Sequence, residues 1–154
     1  WAVSRIINSH DEFKLGWNNE KQVMVYDVIH PYFAHFYKED EQCALLVAEY
    51  NDDLEIFHRN FVSVLEKYKD YRAFEFKDVP ENTFNVSCLP WIQYKSFDIH
   101  VFDEGKYLAP VVTWGKYIQN NKRTVIPLSF NIHHAAADGY HLSRFFVDVK
   151  KHLR

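Results

Sequence analysis

The sequence predicts an α/β protein, in which a mixed or antiparallel sheet is covered by helices in a two-layer α+β sandwich. Two observations carry this expectation. Short segments rich in β-branched and aromatic residues crowd the second half of the chain, and two longer stretches place apolar residues at steps of three and four. The aromatic load of 13 Phe, 10 Tyr and 4 Trp suits a β-rich core and pockets for flat ligands. At 154 residues the chain fits one domain with a sizeable core, spanning 1–154.

In chain order, Trp1, Ala2, Ile6 and Ile7 read as the apolar face of a helix already under way. QVMVYDV (22–28) alternates as a strand does, and PYFAHFY (31–37) is a second strand with its proline at the start, where a missing N–H does least harm. Leu46, Tyr50, Leu54, Phe57, Phe61, Val64 or Leu65, and Tyr68 form one stripe, predicting a core-facing helix of roughly six turns. NVSCLPW, SFDIHVF, PVVTWGKY and VIPLSFNI read as strands, and Asn120-Asn121 in QNNKR offers a tight hairpin turn. Leu142, Phe145 or Phe146, Val149 and Leu153 mark a closing amphipathic helix whose basic last turn complements the helix dipole.

The net charge of −3 makes no electrostatic case for nucleic acid. No apolar run is long enough to span a bilayer, so a membrane is not expected as a partner. Cys43 and Cys88 fit neither a CxxC nor a disulfide framework, and reduced thiols in the cytoplasm are expected.

The chemistry concentrates in HHAAADGYH (133–141). A metal site is disfavoured: adjacent histidines on a strand point to opposite faces, and no second Cys/His cluster completes a shell. Asp138 before an apolar-periodic run is a natural helix N-cap, with Gly139 easing the entry. A histidine at a strand end, followed by three alanines, projects into a cleft where a substrate can come close, and a neutral imidazole suits general-base work. Ser87 in NVSCLPW is either a surface serine or a hydroxyl aimed at developing negative charge; without a GxSxG elbow it is not a nucleophile candidate.

HHAAADG fits the HHxxxDG signature of CoA-dependent acyltransferases. Together with NSHDEF, YDVIHPYFAHF, AEYNDD, NVSCLPWIQYKSFDIHV, LAPVVTWGKY and VIPLSFNIHHAAADGYH, in that order, the chain resembles the chloramphenicol acetyltransferase family over nearly its whole length. The resemblance implies the CoA-dependent acyltransferase fold and transfer of acetyl from acetyl-CoA, a co-substrate, to the primary hydroxyl of chloramphenicol, with no metal and no tightly bound cofactor. It implies His134 as general base, Ser87 as oxyanion stabiliser, Thr113 as the holder of an active-site water and Asp138 as a structural aspartate paired in the family with an N-terminal arginine. It further implies Trp91, Lys116 and Tyr117 along the CoA channel, and Phe74, Phe97, Ile99 and Val101 in the drug pocket. Family members are trimers with active sites between subunits, so a homotrimer is expected, as is the absence here of roughly the first quarter of a family member. Ala135, Ala136 and Ala137 stand where the family commonly has a bulkier residue and a Cys. The alternatives are a related acyltransferase with another hydroxyl acceptor and a fragment that only sequesters an aromatic ligand.

Overall fold

The computed structural model describes residues 1–71, 79–101, 103–121 and 123–153. Among the described residues three helices, α1 (Ala2–Asn8), α2 (Leu54–Lys67) and α3 (Gly139–His152), accompany a five-stranded sheet. Its strands are β3 (His30–Tyr37), β4 (Gln42–Val47), β5 (Thr83–Leu89), β6 (Val111–Gly115) and β9 (Leu128–Asn131), in the order β4-β3-β5-β6-β9. The outer pairs are antiparallel, while β3–β5 and β5–β6 are parallel, so the sheet is mixed as the sequence predicts. Two small hairpins stand apart from it: β1 (Leu15–Trp17) with β2 (Val23–Val25), and β7 (Ile118–Asn120) with β8 (Arg123–Val125). Asn121 takes the left-handed conformation (φ 49°) in the second hairpin, which explains the Asn-Asn pair there. Among the described residues no helix is long and apolar enough to cross a membrane.

One face of the sheet builds the core. Phe33, Val86, Val112 and Phe130 lie in register across β3, β5, β6 and β9, and all four are buried. Helix side chains cover that row. Phe61 of α2 stacks on Phe33 at 4.7 Å, and Phe145 of α3 meets Phe130 at 4.1 Å. Phe13, from a short 3-10 turn after α1, closes the cluster at 5.2 Å from Phe130 and 5.9 Å from Phe145. Ile6 and Ile7 of α1 and Val149 of α3 join the same core. Each such side chain taken fully out of water contributes about 1.5–3 kcal/mol.

Two expectations are corrected. The stripe from Leu46 to Tyr68 is not one helix. Residues 42–47 form β4, and α2 begins only at Leu54, where the Asp53 carboxylate accepts from the N–H groups of Glu55 and Ile56. Ala44, Leu46 and Ala48 are fully buried, a period of two that the helical steps concealed. The other correction concerns SFDIHVF. In the described part of it, 96–101, there is no strand, because no neighbouring strand offers this segment a ladder. VIPLSFNI is also interrupted: Pro127, lacking an N–H, separates β8 from β9.

Truncating Phe145, which is fully buried among three other aromatic rings, is expected to cost about 3–5 kcal/mol. Urea unfolding of Phe145→Ala against the parent chain measures it.

Candidate functional site

Side chains alternate along a strand, so the face turned away from the helices carries the residues between the core positions. There Ser87, Thr113 and Ser129 form one cross-strand row, and Asn85, Val111 and Asn131 form the next. A polar row in the middle of a sheet is costly unless it is roofed and satisfied. The roof is a strap of residues 91–101 and 103–107, and three side-chain hydrogen bonds tie it to the five-stranded sheet. The Tyr94 hydroxyl donates to the Thr113 carbonyl at 2.7 Å. Asn131 Nδ2 donates to Asp98 at 3.2 Å, and Asn85 Nδ2 to the Tyr107 hydroxyl at 2.7 Å. Burial pushes the Tyr107 phenol up to about 12, so it stays neutral.

Beneath this strap two polar atoms remain unpaired. Thr113 is fully buried, and its hydroxyl has no partner among the described residues; the same holds for Asn131 Oδ1. Buried polar atoms are nearly always paired, so two orphans on one face mark a place where a polar ligand or water belongs. Ser87 lies half-buried beside Thr113 as its register partner on the adjacent strand.

The histidine pair lies in the turn after β9, where His133 Nε2 approaches Gly105 of the strap, 3.5 Å from where a Cβ would stand there. His134 is exposed, and its Nδ1 lies 3.3 Å from the Ala137 carbonyl. A carbonyl can only accept, so Nδ1 carries the hydrogen and Nε2 carries the lone pair. His133 is held the other way round: its Nδ1 accepts from the Ala135 N–H at 3.1 Å. Of the two, only His134 offers a basic Nε2. Asp138 caps α3, accepting from the N–H groups of Tyr140 at 3.0 Å and His141 at 3.4 Å. The His141 ring nitrogen Nδ1 stands 2.7 Å from the same carboxylate and 3.3 Å from the Asp138 N–H; the shorter contact makes it a donor. The His141 N–H, then the His141 ring, hold the Asp138 carboxyl below its ordinary value.

The register makes Ser87 and Thr113 neighbours and leaves His134 outside their row. Ser129, in their row, is two strand spacings from Ser87, about 10 Å. His134 lies five residues further along the chain, beyond the start of β6. Trp91, Lys116 and Tyr117 are exposed at the other end of the row. The Lys116 N–H donates to the Ile92 carbonyl at 2.8 Å, and Trp91 packs edge-on against Phe36 at 5.0 Å. Phe97 and Ile99 are half-buried on the strap and Val101 is exposed there; Phe74 lies outside the described residues. A separate cavity of about 590 Å³ sits on the helix side, lined by Trp1, Leu54, Phe57, Phe61, Trp114 and Leu128 among others. Ser87 borders it by its place on β5, but strand alternation turns the hydroxyl away, so we do not assign the chemistry to this cavity.

Sequence reasoning did not single out Asn85, Tyr94, Tyr107, Ser129 or Asn131. Asn85 was within reach, since period two places it on the face of Ser87. The tyrosines carried no local signal.

Solved structures of named acetyltransferases share the fold of this sheet and its helices. A chloramphenicol acetyltransferase superposes with a TM-score of 0.82 over 99% of this chain and 74% of its own, at 23% identity. A probable dihydrolipoamide acetyltransferase from Listeria monocytogenes superposes with a TM-score of 0.68 over 97% and 65%, at 12% identity. The family model described as chloramphenicol acetyltransferase matches residues 1–150. The chain is 36% identical to chloramphenicol acetyltransferase 3 of Escherichia coli, covering 94% of this chain and 68% of that one. It is 32% identical to the chloramphenicol acetyltransferase of Clostridium butyricum, covering 98% and 69%. The chain belongs to the chloramphenicol acetyltransferase family, a family of acyltransferases.

The Asp138 cap has a pH signature. A carboxyl whose folded value is depressed stabilises the fold fully above its ordinary value near 4, and that contribution is lost as pH falls through the depressed one. Denaturant titrations from about pH 5 to about pH 2 are expected to show stability falling, with a shallower fall for Asp138→Ala.

Proposed function

We propose that the protein transfers the acetyl group of acetyl-CoA to the primary hydroxyl of chloramphenicol. The observation that carries this reading is the Ser87–Thr113 pair, with its orphan buried hydroxyl, beneath a strap bearing Phe97 and Ile99 in a member of this family. His134 Nε2 takes the proton from the acceptor hydroxyl, whose oxygen attacks the thioester carbonyl carbon. The Ser87 hydroxyl donates to the oxyanion that forms. Collapse of the tetrahedral intermediate expels the CoA thiolate, which takes the proton from His134. No charge is left on the protein, and no covalent enzyme intermediate is needed. Holding hydroxyl, base and thioester in line supplies much of the rate.

Within one chain the β5–β6–β9 register leaves His134 outside the Ser87 row. Their separation supports a site made by two copies, with His134 from one and the Ser87 row and strap from its neighbour. We therefore propose a homotrimer, the assembly the resemblance implies. Exposed Trp91, Lys116 and Tyr117 cluster where the Ile92–Lys116 backbone bond joins two loops, which suits a channel for the CoA arm. A cytoplasmic location, with Cys43 and Cys88 as free thiols, completes the proposal.

CoA thiol release with chloramphenicol and acetyl-CoA tests the reading. Ser87→Ala is expected to lower kcat about 10²–10³-fold, and His134→Ala to lower it at least about 10²-fold by removing the general base. An unchanged rate in His134→Ala would remove the mechanism.

A further inference from the structure

Three side-chain bonds tie the strap to the five-stranded sheet, and one of these ties differs from the others. Asp98 and Tyr107 reach side chains, Asn131 and Asn85, whose own rotamers can adjust. Tyr94 instead reaches the main-chain carbonyl of Thr113, at 2.7 Å, so the strap is referenced to the strand backbone. Its single proton goes to that carbonyl; the Pro127 carbonyl is more distant at 3.4 Å.

The neighbourhood is shaped for this ring. Gly115 is two residues beyond Thr113 on the same face of β6. A Cβ placed there would lie 2.8 Å from the Tyr94 ring, 2.9 Å from Pro127 and 3.0 Å from the Ile92 carbonyl. The missing side chain is what lets the ring lie against the strand beside Thr113. A second link reinforces the seat, since the Lys116 N–H bonds the Ile92 carbonyl at 2.8 Å. On its outer side the Tyr94 ring packs against Phe97 at 5.4 Å, tilted by 38°.

We propose that Tyr94 is a positioning residue, which fixes the strap that carries Phe97 and Ile99 at a set height over the Ser87–Thr113 row through its bond to the Thr113 backbone. The kinetic part of this inference rests on the acetyl-transfer reading above; the structural part does not. Tyr94 touches neither the reacting hydroxyl nor the thioester in this account. It acts by keeping the aromatic wall and the hydroxyls in one rigid relation, where a shift of about 1 Å weakens alignment.

The test is Tyr94→Phe, which removes the hydroxyl and keeps the ring. Amide hydrogen exchange of the peptide covering 91–101 is expected to speed up about five- to tenfold, the loss of one buried hydrogen bond. Peptides covering β6 and β9 are expected to keep their protection. In steady-state kinetics KM for chloramphenicol rises about three- to tenfold while KM for acetyl-CoA holds, a split that general loosening would not produce. Gly115→Ala supplies a second route to the same effect, because it pushes the ring off its seat with the hydroxyl intact. Combining the two changes should then add little to either alone. Exchange of 91–101 unchanged in both variants would overturn the proposal. If the parent chain shows no turnover of chloramphenicol, the acetyl-transfer reading fails on its own, and the exchange measurement still decides the role of Tyr94.

Discussion

A one-residue offset along β5 and β6 separates the core of this protein from its candidate chemistry. Val86 and Val112 face the helices; Ser87 and Thr113, one step on, face the strap. Because the side-chain period of a strand is two, any slip in the β5–β6 register by one residue would bury the hydroxyls under Phe61 and Phe145 and turn the valines outward. The aromatic cluster of Phe13, Phe130 and Phe145 makes that slip prohibitive. Packing on one side thus fixes hydroxyl geometry on the other.

The two faces are finished by different physics. On the helix side, burial of apolar area does the work and tolerates a cavity of about 590 Å³. On the strap side, directional hydrogen bonds from Tyr94, Asp98 and Tyr107 hold an irregular segment that has no strand partner. Beneath this roof the buried hydroxyl of Thr113 is unpaired among the described residues. His134 is set by a third device: the Asp138 cap shapes the entry to α3, and the Ala137 carbonyl selects the tautomer of its ring.

Much of this was legible in the sequence where a signal is local. The Asp138 cap, the Asn-Asn hairpin, the strand through PYFAHFY and the closing helix each announce themselves within a few residues. Leu46 was misread because its spacing to Tyr50 satisfies a helix as well as its alternation with Ala44 and Ala48 satisfies a strand. SFDIHVF alternates like a strand, yet residues 96–101 form none, since strand formation needs a partner that no local pattern reveals. Among the candidate site residues, the resemblance picked out Ser87 and Thr113, and the structure makes them register partners. The strap ties of Tyr94 and Tyr107 depend on contacts across 19 and 22 positions, which no local reading supplies. Nor did spacing show that His134 stands outside the Ser87 row, because that follows from the antiparallel register of β9.

The central claim is that base and oxyanion donor meet only between copies. Co-refolding equal amounts of His134→Ala and Ser87→Ala chains tests it directly. Each variant alone is slowed at least about 10²-fold in this account. A mixed assembly regains intact sites wherever a chain with His134 meets a neighbour with Ser87, about a quarter of the interfaces in a random cyclic oligomer. Recovery of acetyl transfer near that fraction of the parent activity is the predicted result. No recovery in mixtures shown by mass to contain both chains in one assembly would contradict it.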